Sequence, residues 1–349
     1  MGMVITLHFM FKGGIIVNPT EDFGLRSVVL WLVTSFCICA VNAYVLISGY
    51  FLVEAEFKIS RLAALIIQVL EYSLIVYVLL VVIGVDGVTP AANLHELLGY
   101  IFPIGTGEYW FVTAYFCMYL VSPMLAQGIK KLDRKTLRIL IVVLLFFTCI
   151  EKSILPMLLP GDAYGYDFIW FMMLFVIAAY IRLYGIEFLE GHTGRAWMLY
   201  AGSALLIWII GLGFSYAGYT TGIKALLHYS DIVFHYNYIF VLTSSVGLFY
   251  IFRNASFNED GIPARAARIL GHLTLGVYLL HEHPCVRYNW PKWLGVRTDG
   301  NLGATLVSWL MCVVIIYAVG LLVEYLRTVI HSYIASAWNS NHGQKKTSN

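Results

Sequence analysis

Nine apolar runs, each long enough to cross a bilayer, decide what this chain can fold into. They lie near 25–53, 60–85, 108–127, 136–157, 166–184, 196–217, 231–252, 264–284 and 303–327. A spanning helix needs roughly 20 mostly apolar residues, because the hydrocarbon core is about 30 Å thick and an α-helix rises 1.5 Å per residue. Charges, Gly or Pro punctuate the runs, as in "GIKKLDRK" at 128–135 and "NEDGIP" at 258–263. The 349 residues are 60% hydrophobic and only 12% charged, with a mean hydropathy of +0.78. A soluble domain is nearer half apolar and a quarter charged. The net charge of +2 is too small to suggest a nucleic-acid partner.

The run 91–104 is shorter and carries His95 and Glu96, which suits an interfacial or re-entrant segment. Met1 to Phe11 would reach only about 16 Å as a helix, and Lys12-Gly13-Gly14 then interrupts it. This reads as the outer half of a span whose beginning is missing. A cleaved signal peptide would want a basic n-region, and residues 1–7 contain no Lys or Arg. The expected fold is therefore all-α: a polytopic bundle of about ten spans, the first truncated, with a membrane domain over 1–334 and a polar, disordered cytoplasmic tail over 335–349.

With the N-terminus in the cytoplasm, 15 of the 22 basic residues fall inside and 7 outside, and the segment 128–138 alone holds five. The positive-inside rule then places both termini in the cytoplasm of a cell (plasma or inner) membrane. The cysteines Cys37, Cys39, Cys117, Cys149, Cys285 and Cys312 fall almost entirely inside apolar runs and form no CxxC pair. They read as small buried hydrophobes, with neither disulfides nor a metal site.

Ionisable residues in spans are costly and mark candidate sites. His8 lies in the first run. Glu71 lies about ten residues into "RLAALIIQVLEYSLIVYVLL", near the midplane, where a lone carboxylate needs a partner or its proton. Asp231, His235 and Asn237 open "DIVFHYNYIF". His281, Glu282 and His283 sit in "GVYLLHEHPCVR", either as a site or as an ordinary membrane–water boundary. Neighbours at i and i+2 do not share a helix face, and zinc wants three or four converging ligands, so no metal is expected there. A single membrane His can also simply hydrogen-bond a neighbouring helix; on residues alone, His8 is open between packing and function.

Five stretches converge in order: "VITLHFMFKGG", "NAYVLISGYFLV", "EYWFVTAYFCMYLVSPML", "YNYIFVLTSSVGLFYIF" and "LGVYLLHEHPCVR". Together, over roughly residues 3 to 330, they resemble the integral-membrane acyltransferase-3 family, whose members are ten-helix bundles that O-acylate carbohydrates, often bacterial surface polysaccharides. The resemblance implies that His8 is the family's first-helix histidine, essential for acyl transfer. It matches Ser48-Gly49-Tyr50 to the family "SGY", Trp110 and Tyr115 to "WF…Y", Asn237 to an asparagine of the eighth helix, and Tyr278 and His281 to "YL-H". Two positions depart. The family's arginine about ten residues before the histidine would precede Met1, and its pair of arginines four apart after "SGY" is replaced by Lys58 and Arg61, with Leu65 following.

Acetyl transfer from a thioester to a sugar hydroxyl needs a base or an acyl carrier, and imidazole serves as either near pH 7. The carbonyl oxygen becomes negative in the transition state and needs donors. Ser48, Tyr50 and Asn237 are candidates. The implied donor is cytosolic acyl-CoA, in particular acetyl-CoA, an anion that Lys58, Arg61 and the 128–138 cluster could attract. The implied acceptor is a cell-surface or lipid-linked saccharide, with the bilayer as the remaining partner and no bound cofactor. Two alternatives stay open: a permease or flippase for a lipid-linked glycan, with His8 and Glu71 coupling protons, and an inactive, truncated paralogue.

Overall fold

The computed structural model describes residues 1–155 and 163–343, with side chains as far as Ile334. Every regular element among the described residues is a helix. Helix α1 (Gly2–Lys12) is short but central: Ile5, Phe9 and Met10 are fully buried. Helices α2 (Leu25–Cys37) and α3 (Ala40–Leu52) form one apolar passage broken at Ile38–Cys39. There Thr34 and Ser35 turn their hydroxyls back onto the carbonyls of Leu30 and Leu32, a habit that bends helices.

Helix α4 (Ile59–Ile83) stops at Gly84, whose φ of 70° gives the left-handed cap that favours glycine. The expected interfacial segment is α5 (Leu94–Ile101), an eight-residue helix capped by the Asn93 side chain. It rests on α4 through Tyr100, stacked on Tyr77 at 4.0 Å. Then come α6 (Trp110–Lys130) and α7 (Arg134–Leu145), a π-helical turn over Phe146–Ile150, and α8 (Glu151–Ile154). Residues 156–157, expected to close that span, lie outside the described residues. Helices α9 (Phe168–Tyr184), α10 (Thr193–Thr221), α11 (Lys224–Ile232), α12 (Ile239–Arg253), α13 (Ile262–Gly271), α14 (Thr274–His281), α15 (Trp290–Trp293) and α16 (Leu302–Gly343) complete the order. Part of the expected tail thus continues α16, and 344–349 lie outside the described residues.

Five stretches are long and apolar enough to cross a membrane: Leu25–Leu52, Ile59–Ile83, Trp110–Lys130, Thr193–Thr221 and Leu302–Ile334. Gly2–Lys12, Phe168–Tyr184 and Ile239–Arg253 are shorter apolar helices. Two further expected spans are broken. In 231–252, the polar opening forms a turn between α11 and α12, with the Tyr236 amide donating to the Tyr164 carbonyl at 3.0 Å. In 264–284, α13 buries no residue and a kink at His272–Leu273 separates it from α14. Periodicity could not see either break, because each lies inside a run whose average stays apolar.

Helices in lipid lack a hydrophobic drive toward one another and associate by close packing at small residues. Gly49 brings α3 onto α9, where an added Cβ would stand 2.9 Å from Cβ of Ala178. Gly320 brings α16 onto α14, where a Cβ would stand 2.7 Å from Cα of Val277. The core of the bundle joins α1, α2, α3 and α9 through side chains such as Phe9, Trp31, Leu46 and Phe171. Helices α4 and α16 turn exposed apolar side chains outward, including Val82 and Val314.

Candidate active site

His8 stands one turn before Lys12 on α1, so both face the end of α14 across the bundle. Nδ1 of His8 is 2.9 Å from Nε2 of His281 and 3.3 Å from Oε2 of Glu282. Lys12 holds both Glu282 oxygens in an ion pair. Glu282 and His281 are each 2% exposed. A buried carboxylate without a cation would be very costly, so the Lys12 ammonium is what makes Glu282 tolerable there.

The hydrogen-bond chain assigns the tautomers. Nδ1 of His281 is 2.5 Å from the Val277 carbonyl, which can only accept, so Nδ1 carries the proton. In a neutral imidazole the other nitrogen is then an acceptor. His281 Nε2 accepts from His8 Nδ1–H, and Glu282 accepts from the same hydrogen at longer range. This leaves the His8 Nε2 lone pair free of this chain. His8 thus carries a free base or nucleophile, oriented from behind by a second histidine and a carboxylate, the general arrangement for activating a proton-transfer group.

Two cavities meet at this histidine. One, of about 500 Å³, is mainly apolar and reaches from His8 past Ser48, Trp110, Tyr115 and Tyr278 to Arg61. The other, of about 640 Å³, is lined by Lys12, Asn18, Asp231, His235, Glu282 and Arg287, with several aromatic rings. His8, Trp110 and Tyr236 line both. Trp110 and Tyr236 stack with ring centroids 5.6 Å apart. The Tyr236 backbone is held by buried Asn42, whose amide donates to its carbonyl at 2.7 Å and accepts from Trp170 Nε1 at 3.0 Å.

The predicted site residues divide. Ser48 and Tyr115 line the first cavity with their hydroxyls 2.9 Å apart. Arg61 lines it without an ion-pair partner among the described residues. Lys58 is exposed nearby in sequence. Tyr278 lines the cavity and is buried.

Three others lie elsewhere. Tyr50 turns away from the cavity toward α9 and α12, where it accepts a hydrogen bond from Arg182 at 3.1 Å and lies under Arg253. Ser48 and Tyr50 lie two apart on α3 and so point to roughly opposite sides of it. Asn237 joins α12 to the π-helical turn: its side-chain oxygen accepts from Lys152 at 2.8 Å and its amide donates to the Thr148 carbonyl. Glu71 is not alone: Arg327 donates to it at 2.9 Å and His331 Nε2 lies at 2.7 Å. Arg327 also pairs with Glu324, which Gln68 and Tyr72 hydrogen-bond. This network ties α4 to α16 and lines neither cavity except at Gln68.

All three residues of the triplet His281-Glu282-His283 are buried in the protein. His283 ties the end of α14 to α4, with Nε2 3.0 Å from the Ser73 carbonyl, and its Nδ1 accepts from the Cys285 amide. Glu282, open in the sequence between site and boundary, thus joins the site, and Lys12, which the sequence did not single out, joins it too. The signal was present in the basic residue one turn after His8 and the carboxylate directly after His281.

A family model for an acyltransferase domain, acyltransferase family 3, matches residues 1–325. The chain belongs to that family. No curated protein and no solved structure matches it.

Proposed function

We propose that this protein is a ten-pass membrane O-acyltransferase that moves an acetyl group from acetyl-CoA to a hydroxyl of a cell-surface or lipid-linked saccharide. The observation that carries the reading is His8, with a free Nε2, at the neck between two cavities. The apolar cavity ends at Arg61, beside Ser48 and Tyr115. It suits a thioester arm whose phosphates remain near Arg61 and Lys58, where cations raise the local concentration of an anionic donor. The second cavity offers carboxylate, amide and cationic groups beside Trp110, Tyr166 and Tyr236, the mixture of apolar walls and placed polar groups that orients a small ligand. The acceptor hydroxyl would give its proton to His8 Nε2 as its oxygen attacks the thioester carbonyl.

The ten passes are α1, α2 with α3, α4, α6, α7 with α8, α9, α10, α12, α13 with α14, and α16. Alternating them puts the Arg61 end of the first cavity on the same face as the basic segment 128–138, and Lys12 and Arg287 on the other. Both termini are then cytoplasmic in a cell membrane. Probes at Lys131→Cys and Arg297→Cys test this: labelling of position 131 from outside intact cells contradicts it.

The activity test uses protein reconstituted in lipid nanodiscs, acetyl-CoA carrying a labelled acetyl group, and the glycolipid extract of the native host. Label entering glycolipid with release of CoA thiol is the expected result. A permease or an inactive paralogue would leave the thioester intact, and that result rejects the reading.

A further inference from the structure

We infer that the N-terminus of α6, together with the Tyr278 hydroxyl, forms a site for the oxyanion that develops on the thioester carbonyl. The inference rests on the acyl-transfer reading above and adds to it the groups that stabilise the transition state.

The first observation is an unsatisfied buried helix end. Trp110, Phe111 and Val112 open α6, and Tyr109 provides no side-chain cap. Thr113 already bonds back to the Tyr109 carbonyl at 3.0 Å, whereas the amides of 110, 111 and 112 have no backbone partner among the described residues. Tyr109 is fully buried and Val112 is 1% exposed. The first amides of a helix need an acceptor, and a buried end without one calls for a ligand. Their partial positive charge favours a negative one.

The second observation is independent. Tyr278 is 6% exposed, and its hydroxyl has no hydrogen-bond partner. The Phe111 backbone amide stands beside its oxygen, and the Phe111 and Tyr278 rings lie 5.7 Å apart, so what the phenol lacks is an acceptor for its own proton. A buried unpaired hydroxyl costs roughly 1–3 kcal/mol, so its presence asks for an acceptor. Both features line the apolar cavity, as does His8. The Tyr278 ring centroid is 6.1 Å from that of His281, which is 5.0 Å from that of His8. The thioester carbonyl is placed in this shared cavity, its carbon beside His8 and its oxygen toward the α6 end.

The step balances as follows. The acceptor oxygen bonds to the carbonyl carbon while its proton passes to His8 Nε2. The C=O π pair moves onto oxygen, facing the Tyr278 O–H and the α6 amides. The C=O bond then re-forms, the C–S bond breaks, and the CoA sulfur leaves with the proton from His8. Ser48, Tyr50 and Asn237 were the donors expected from sequence. Ser48 is engaged with Tyr115, and the other two lie outside the cavity.

The test compares wild type, Tyr278→Phe and 3-fluorotyrosine at position 278, all in nanodiscs with acetyl-CoA and the native glycolipid extract. Tyr278→Phe should lower kcat about 10²–10³-fold, the loss typical of one oxyanion donor, with KM for acetyl-CoA little changed and the thermal midpoint raised, since the variant removes an unpaired buried hydroxyl. Fluorination makes the phenol a stronger donor without altering its shape and should raise kcat above wild type. A wild-type kcat in Tyr278→Phe overturns the inference, as does a kcat indifferent to fluorination. If wild type itself transfers no acetyl, the acyl-transfer reading falls and takes this inference with it; transfer by wild type beside an unimpaired Tyr278→Phe rejects the oxyanion site alone.

Discussion

His281 presents its unprotonated Nε2 to the Nδ1–H of His8 at 2.9 Å, across a separation of 273 residues. The Val277 carbonyl, one turn back on α14, dictates that arrangement by accepting the other His281 proton. A backbone carbonyl therefore sets which nitrogen of His8 faces the cavities.

His8→Ala should remove at least about 10²-fold of acetyl transfer, the lower end for a positioned acid–base group, while folded protein is retained. His281→Ala should lower the rate less, because Glu282 remains an acceptor for His8 Nδ1. His283→Ala should reduce folded yield without changing the rate per folded molecule, since its hydrogen bonds go to backbone groups of Ser73 on α4 and of Cys285. Labelled transfer normalised to monodisperse protein checks all three. A near-parental rate for His8→Ala would reduce the imidazole to a packing residue.

Glu282→Leu leaves the Lys12 ammonium without its carboxylate partner. Breaking a buried pair by removing one member typically costs about 3–5 kcal/mol, whereas replacing both members with apolar groups is often neutral. The double variant Lys12→Met/Glu282→Leu should therefore unfold at a higher temperature than Glu282→Leu alone, though both lose activity. Equal thermal midpoints for single and double variants would show that the pair does not couple the two helices.

Glu71→Leu should lower folded yield while leaving acetyl transfer per folded molecule near wild type. The substitution leaves Arg327 with Glu324 alone and deprives His331 of its partner. The cost expected from a partly buried charged hydrogen bond is about 1.5–3 kcal/mol. A specific loss of rate in well-folded protein would instead place Glu71 in the proton path.

Gly320→Val would drive a Cβ to 2.7 Å from the Val277 backbone and push α14 away from α16. Overpacking of this kind costs about 1–3 kcal/mol. Because Val277 and His281 share α14, activity should fall together with stability. Gly213→Val, where nothing lies within 4 Å of the added Cβ, is the control and should do neither. Equal melting of the two variants would mean that α14 and α16 do not pack through Gly320.

The sequence by itself determined the solvent and the kind of fold. Runs such as Ile59–Ile83 and Leu302–Ile334 can only be helices of a membrane protein, because their length and apolarity meet the bilayer's requirement without any tertiary information. Ordered short motifs also pointed to His8, Ser48, Tyr115, Tyr278 and His281, which the fold gathers around one cavity or behind it. What sequence could not supply was the identity of partners. A polar residue in a span announces that it needs one, but the partner is chosen by helix crossings, which period and hydropathy do not encode. Glu71 looked unpaired until α16 brought Arg327 beside it, and the partners of Asn237, the π-helical turn and Lys152, come from another part of the chain. Glu282 looked like a boundary residue until α1 laid Lys12 and His8 against it. Only the tertiary structure decided these pairings, since each joins residues from 85 to more than 250 apart in the chain through contacts a few ångströms long.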